Sequence, residues 1–305
     1  MKKTVILLSV LLAACASSPT FDAKSESAVE QLYQRVQNRD DAALKELKQE
    51  AEAGDALAQD RLGLAYIRGN GVEKDYAQAI TWLKRSAEQG YSYAEFRLGF
   101  LYANGLGGER DLKQAREWYQ KSAQSGNAAA AYNLAQLCQE EKDDAQAAKW
   151  YEQAAKTGMA AAQHNLAVFY QKGEGVKQDN DKAVYWYRQA VAQKYTPSMI
   201  NLGLMYEDGQ GVEKSVVHAR ELYQSAADLN DAAGMAYIGH LYEVASSPDY
   251  ASALQWYRKA ADAGDWQAAG RLSNAYRSGQ LGLEKDKKQA DEWYRKYIQL
   301  QIKKP

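Results

Sequence analysis

Three histidines, His164, His218 and His240, are the side chains best able to bind a metal or shuttle a proton near neutral pH. Two of them have a carboxylate one helical turn further on, in His218-Ala219-Arg220-Glu221 and His240-Leu241-Tyr242-Glu243. Metal sites use that spacing, but two ligands on one helix need a third and a fourth from elsewhere. The apolar period puts the two pairs on different helices, and neither His-Glu-x-x-His nor Gly-x-Ser-x-Gly occurs. A hydrolase of the β-lactamase kind needs a nucleophile beside a base, and the sequence shows no such pairing. We therefore expect no catalytic residue, no metal and no cofactor, with the histidines solvated or lining a groove.

Three glycine pairs, in Gly69-Asn70-Gly71-Val72, Gly173-Glu174-Gly175-Val176 and Gly209-Gln210-Gly211-Val212, invite a phosphate-cradle reading. A phosphate loop follows a strand and ends in Gly-Lys-Ser/Thr, and a dinucleotide fingerprint needs a βαβ unit. Here both flanks are helical in period and no lysine–serine pair follows. The glycines read as a helix stop and a turn, with the valine packed beneath. Lys and Arg total 38 against 39 Asp and Glu, so no basic field is present to attract nucleic acid.

Positioning follows from an internal repeat. Ala58, Ala94, Ala130, Ala162, Ser198, Gly234 and Ala268 share a column. Four residues on stand Leu62, Leu98, Leu134, Leu166, Leu202, Ile238 and Leu272, then a small residue, then Tyr66, Tyr102, Cys138, Tyr170, Tyr206, Tyr242 and Tyr276. Such offsets form one stripe of a helix. A second helix carries Ala79, Ala115, Ala147, Ala183, Ala219, Ala253 and Ala290. Trp82, Trp118, Trp150, Trp186, Leu222, Trp256 and Trp293 follow three residues later, with Leu83 or a tyrosine beside each. Repetition marks the indoles as core, and Cys138, in the tyrosine column, as a buried and unreactive thiol.

The string Leu-Gly-x-x-Tyr, Gly-x-Gly-Val-x-x-Asp, Ala-x-x-Trp-Tyr-x-x-Ala-Ala-x-x-Gly resembles the Sel1 repeat, a relative of the tetratricopeptide repeat. Seven copies are read at 55–90, 91–126, 127–158, 159–194, 195–230, 231–264 and 265–298. The third and sixth lack the Gly-x-Gly-Val loop, which leaves local curvature open there. Residues 27–54 read as an N-terminal capping hairpin and 299–305 as a polar tail. The resemblance implies an all-α fold, a right-handed α-solenoid superhelix of helix–turn–helix units.

The chain opens with a charged n-region, Met1-Lys2-Lys3, and an apolar run from Val5 to Ala14, which is too short to span a bilayer as a mature helix. Leu12-Ala13-Ala14-Cys15 resembles the bacterial lipobox. That implies a signal peptide over 1–14, acylation of Cys15 and a flexible tether over 15–26. Alanine rather than aspartate at position 16 resembles Gram-negative lipoproteins sorted to the outer membrane, here facing the periplasm. Once Cys15 is committed to lipid, Cys138 has no disulfide partner.

By resemblance to tetratricopeptide-like arrays, first helices line a concave face whose variable positions touch a partner. Phe96, Phe100 and Tyr132 are expected to form an apolar patch continuing through His164, Val168 and Ile200, with His240 further along. Directly before the leucines run Arg61, Arg97, Asn133, Asn165, Asn201, Tyr237 and Arg271, a ladder able to pair with an extended peptide or clamp carboxylates. The expected partner is a protein and not a small-molecule substrate or a nucleic acid. One role is an envelope scaffold or adaptor. Resemblance to periplasmic Sel1 proteins implies another, immunity against a type VI secretion lipase effector.

Overall fold

The computed structural model describes residues 23–302. The N-terminal hairpin is α1 (Ala23–Gln37) and α2 (Asp41–Ala53). Three helix pairs follow: α3 (Ala56–Arg68) with α4 (Tyr76–Glu88), α5 (Ser92–Asn104) with α6 (Leu112–Gln124), and α7 (Ala128–Glu140) with α8 (Asp144–Lys156). Four more complete the chain: α9 (Ala160–Lys172) with α10 (Asn180–Ala192), α11 (Thr196–Asp208) with α12 (Val216–Asp228), α13 (Ala232–Glu243) with α14 (Tyr250–Asp262), and α15 (Trp266–Ser278) with α16 (Lys287–Ile302). Among the described residues there is no strand. Within each of two compact units, which divide between Met159 and Ala160, every helix packs on its sequence neighbour, as in an α-solenoid.

Each second helix begins at a side-chain cap. Asp75, Asp111, Asp143, Asp179, Asp249 and Asp286 accept a hydrogen bond from the backbone N–H three residues on, and Ser215 does so in the fifth repeat. The N–H of each capping residue in turn donates to the carbonyl of the tyrosine column, from Asp75 to Tyr66 through Asp286 to Tyr276. The third and sixth loops close on the same bond, Asp143 to Cys138 and Asp249 to Tyr242. Loss of Gly-x-Gly-Val changes the loop but keeps its anchor. In the first loop Gly71, at φ +67°, could not carry a side chain, since a Cβ would lie 2.9 Å from the Val36 carbonyl.

The core differs from the expected tryptophan spine. All six indoles of the column are half-buried, and a cation three residues on covers several of them: Arg85 over Trp82 at 4.6 Å, Lys121 over Trp118 and Lys259 over Trp256 at 4.3 Å. A long aliphatic stem can lie on the ring with its charge in water, so the indole stays at the rim. The neighbouring column is enclosed in the first five repeats, with Leu83, Tyr119, Tyr151, Tyr187 and Tyr223 at 0–1 % exposure, whereas Tyr294 of the last repeat is exposed. The facing glycines make room for it, and a Cβ on Gly99 would meet the Tyr119 ring at 2.5 Å.

Two boundaries move. Residues 23–26, expected in the tether, begin α1, because the buried stripe Val29, Leu32, Tyr33 and Val36 needs a helical turn ahead of it. Residues 299–302, expected in the tail, continue α16, with Leu300 packed against the core of the second unit. Cys15 and the proposed signal segment lie outside the described residues.

Candidate interaction surfaces

The ladder before the leucines is placed by the first helix of each repeat, but it faces the preceding repeat. Asn133 Nδ2 donates to Tyr119 Oη at 3.2 Å, and Asn201 Nδ2 donates to Tyr187 Oη at 3.0 Å. Tyr237 stacks on Tyr223 with centroids 5.0 Å apart. Arg271 pairs with Glu243, which also accepts from Tyr257 Oη at 2.7 Å. A phenol buried by its ring must find a partner for its oxygen, and the next repeat supplies it. Burial pushes the Tyr187 phenol up to about 12. Burial alone would raise the Glu243 carboxyl, but the hydrogen bonds from Arg271 and Tyr257 outweigh it and hold the group low.

In the first repeat Leu83 stands where the phenol would be, so the arginines find another partner. The Asp60 carboxylate, fully buried, takes Arg97 Nη1 at 2.5 Å and Arg61 Nη1 at 2.5 Å. Arg61 Nε also reaches Glu30 at 2.6 Å. The expected carboxylate clamp is therefore already filled from within.

These contacts correct the expected site. Arg97, Asn133, Phe96 and Ile200 are buried, and Arg61, Asn201, Tyr237 and Arg271 spend their polar or ring groups on neighbouring repeats. Phe96 lies against Tyr119 at 5.9 Å, and Tyr132 against Tyr151 at 5.5 Å, each within its own repeat. His164 is half-buried between Tyr187 and Tyr195, with Nδ1 3.0 Å from Ser198 Oγ. Burial holds its imidazole down to about 4. Asn165 is half-buried.

A column of variable residues that keeps some exposure stands two residues after the leucines. Phe100, Gln136, Val168 and Leu204 are half-buried, and His240 and Asn274 are exposed. Leu64 alone of this column is buried. The sequence carried a signal for the inter-repeat locks that the expected site did not use. Tyr119 to Asn133, Tyr187 to Asn201, Tyr223 to Tyr237 and Tyr257 to Arg271 are each 14 residues apart.

The groups with chemical potential stay separate. Cys138 is buried, its thiol pushed up by that burial, with Arg116 Nη1 3.7 Å from Sγ. His218 is exposed, stacked on Tyr206 at 5.0 Å, with Nδ1 2.8 Å from Ser215 Oγ. Among the described residues no three His, Cys, Asp or Glu side chains gather in a way that could hold a metal ion.

The family model described as Sel1 repeat matches residues 56–91, 92–127, 128–159, 160–195, 196–231, 232–265 and 266–300. The chain belongs to the Sel1 repeat family. Sel1 repeats are protein–protein interaction modules. Among solved structures, a Sel1 repeat protein from Oxalobacter formigenes is 30% identical with a TM-score of 0.70, over 91% of this chain and 83% of its own. A protective antigen with an SLR fold from uropathogenic Escherichia coli is 31% identical with a TM-score of 0.49, over 84% of this chain and 64% of its own. An immunity protein from Pseudomonas aeruginosa is 19% identical with a TM-score of 0.47, over 70% of this chain and 82% of its own. No curated protein matches the chain.

Proposed function

We propose that this Sel1 repeat protein is a lipid-anchored interaction adaptor of the bacterial envelope, tethered through Cys15 to the outer membrane and facing the periplasm. The observation that carries the interaction role is the contrast between columns. The small, leucine and second-helix tyrosine columns, and the ladder before the leucines, are spent on packing or on neighbouring repeats. The column of Phe100, Gln136, Val168, Leu204, His240 and Asn274 keeps part of its surface exposed with unlike side chains, even where Val168 and Leu204 also touch the core. Partly exposed aromatic and aliphatic anchors amid polar neighbours are the usual material of interface hot spots. The anchor rests on Leu12-Ala13-Ala14-Cys15. Several acyl chains, at about 0.8 kcal/mol per buried methylene, hold a protein stably where one chain is marginal.

Affinity capture from the native envelope tests both parts. Wild-type protein is expected in the outer-membrane fraction with a defined partner, and Cys15→Ser is expected to be lost from that fraction. Phe100→Asp and Leu204→Asp, if still helical and folded, are expected to lose the partner. Recovery of the same partner by both variants refutes the surface, and unchanged membrane association of Cys15→Ser refutes the anchor. An envelope component is the expected partner. A secreted lipase in its place turns the role to immunity.

A further inference from the structure

The fifth repeat departs from the other six at one charged position. Six second helices begin at an aspartate, and the fourth repeat shows how that carboxylate is used: Lys182 Nζ lies 3.2 Å from Asp179 and 5.1 Å from the Tyr170 ring centroid. In the fifth repeat Ser215 replaces the aspartate, and His218, stacked on Tyr206, takes the place of Lys182. The Ser215 hydroxyl is already engaged with the His218 backbone N–H at 3.3 Å and its ring at 2.8 Å.

Beside these residues opens a cavity of about 500 Å³ lined by Arg188, Tyr206, Lys214, Ser215 and His218. Arg188 donates to Tyr206 Oη at 3.0 Å. Among the described residues neither Arg188 nor Lys214 has a carboxylate partner within ion-pair distance. Glu213 is the one carboxylate in the lining, against the guanidinium of Arg188 and the ammonium of Lys214. Val216 and Val217, at 46% and 67% exposure, follow Ser215 directly.

We infer that this cavity receives an acidic side chain of a protein partner, with an aliphatic neighbour of that side chain resting on Val216 and Val217. The guest carboxylate supplies the charge that Asp179 and its counterparts supply elsewhere, and guanidinium, ammonium and imidazole donors converge on it. The inference rests on the interaction role proposed above, but its test needs no partner. A failure here leaves the Phe100–Leu204 surface standing.

The probe is N-acetyl-glutamyl-valinamide, read through the imidazole NMR signals of the full protein. There are three histidines, assigned one by one with His→Gln variants. The expected result is a saturable shift of the His218 signal with the glutamyl peptide and none with its glutaminyl counterpart. Arg188→Gln and Lys214→Gln should each weaken binding about tenfold or more. Ser215→Asp restores the aspartate of the other repeats, so it should keep its circular dichroism spectrum and lose the shift. An equal response to the glutaminyl peptide, tighter binding of inorganic phosphate than of the peptide, or full binding by Ser215→Asp overturns the inference.

Discussion

Removing the Tyr187 hydroxyl while keeping its ring isolates the lock between repeats. Tyr187 Oη donates to Gln171 Oε1 at 2.8 Å and accepts from Asn201 Nδ2 at 3.0 Å, and the residue is fully buried. Tyr187→Phe leaves the packing volume almost unchanged but strands one acceptor and one donor. A net hydrogen bond is worth about 1 kcal/mol, and a buried group left unsatisfied costs about 1–3 kcal/mol. Gln171 and Asn201 are only half-buried, so water can partly replace the phenol. The expected loss is therefore about 1–2 kcal/mol, against about 3–5 kcal/mol for Tyr187→Ala, which also opens a cavity. Urea denaturation followed by circular dichroism measures both. Repeat arrays can depart from two-state behaviour, so midpoints should be compared at matched m-values. A double-mutant cycle with Asn201→Ala should give a coupling of about 0.5–1 kcal/mol. The control is Tyr294→Phe, since Tyr294 holds the same column position but is 46% exposed, and it should be neutral. A neutral Tyr187→Phe with coupling under about 0.3 kcal/mol would show that the ladder is not a lock.

Asp60→Asn leaves Arg61 and Arg97 without their shared buried counter-charge, and a loss of about 3–5 kcal/mol in urea midpoint analysis is expected. His164 has its imidazole held down from 6.5 to about 4 by burial, so it is protonated more readily when unfolded. Its stabilising effect is complete above pH 6.5 and declines as pH falls towards 4, by about 1–2 kcal/mol after allowance for its partial exposure. His164→Gln should flatten that part of a pH–stability profile. Glu95 is buried with Oε2 unpartnered, whereas its counterparts Gln59 and Gln163 pair with Gln89 and Gln193 at 2.9 and 2.8 Å. Ser125, at the position of those outer glutamines, is too short to reach it. Burial raises the Glu95 carboxyl, so its penalty grows as pH rises through the carboxylate range. Glu95→Gln with Ser125→Gln should raise stability at pH 7 by about 1 kcal/mol, and an unchanged thermal midpoint would count against the pairing.

The repeat and the helix pairs were legible in the residues themselves, because column periodicity reports which face is buried. Aspartate caps, glycine stops and alanine columns lie within a few residues of the structure they specify, so sequence alone places them. Burial rank within a column was not legible. Tryptophan and tyrosine stand side by side in five of the seven second helices, and only the packing of helix on helix shows that four of those tyrosines are buried while the indoles beside them sit at the rim. Phe96 and Ile200 were misplaced for the same reason.

The ladder shows the division most clearly. Asn133 and Asn201 have the same side chain whether they greet a partner or a neighbouring repeat, and their chemistry alone does not choose. The choice is made by the phenols of Tyr119 and Tyr187, which stacking brings within 3.2 Å and burial deprives of water. Sequence by itself determined that this chain stacks helix pairs and left the first helices variable. Tertiary structure alone decided which of those variable side chains are used up in the stacking, because a buried polar group takes whatever partner the next repeat brings to it.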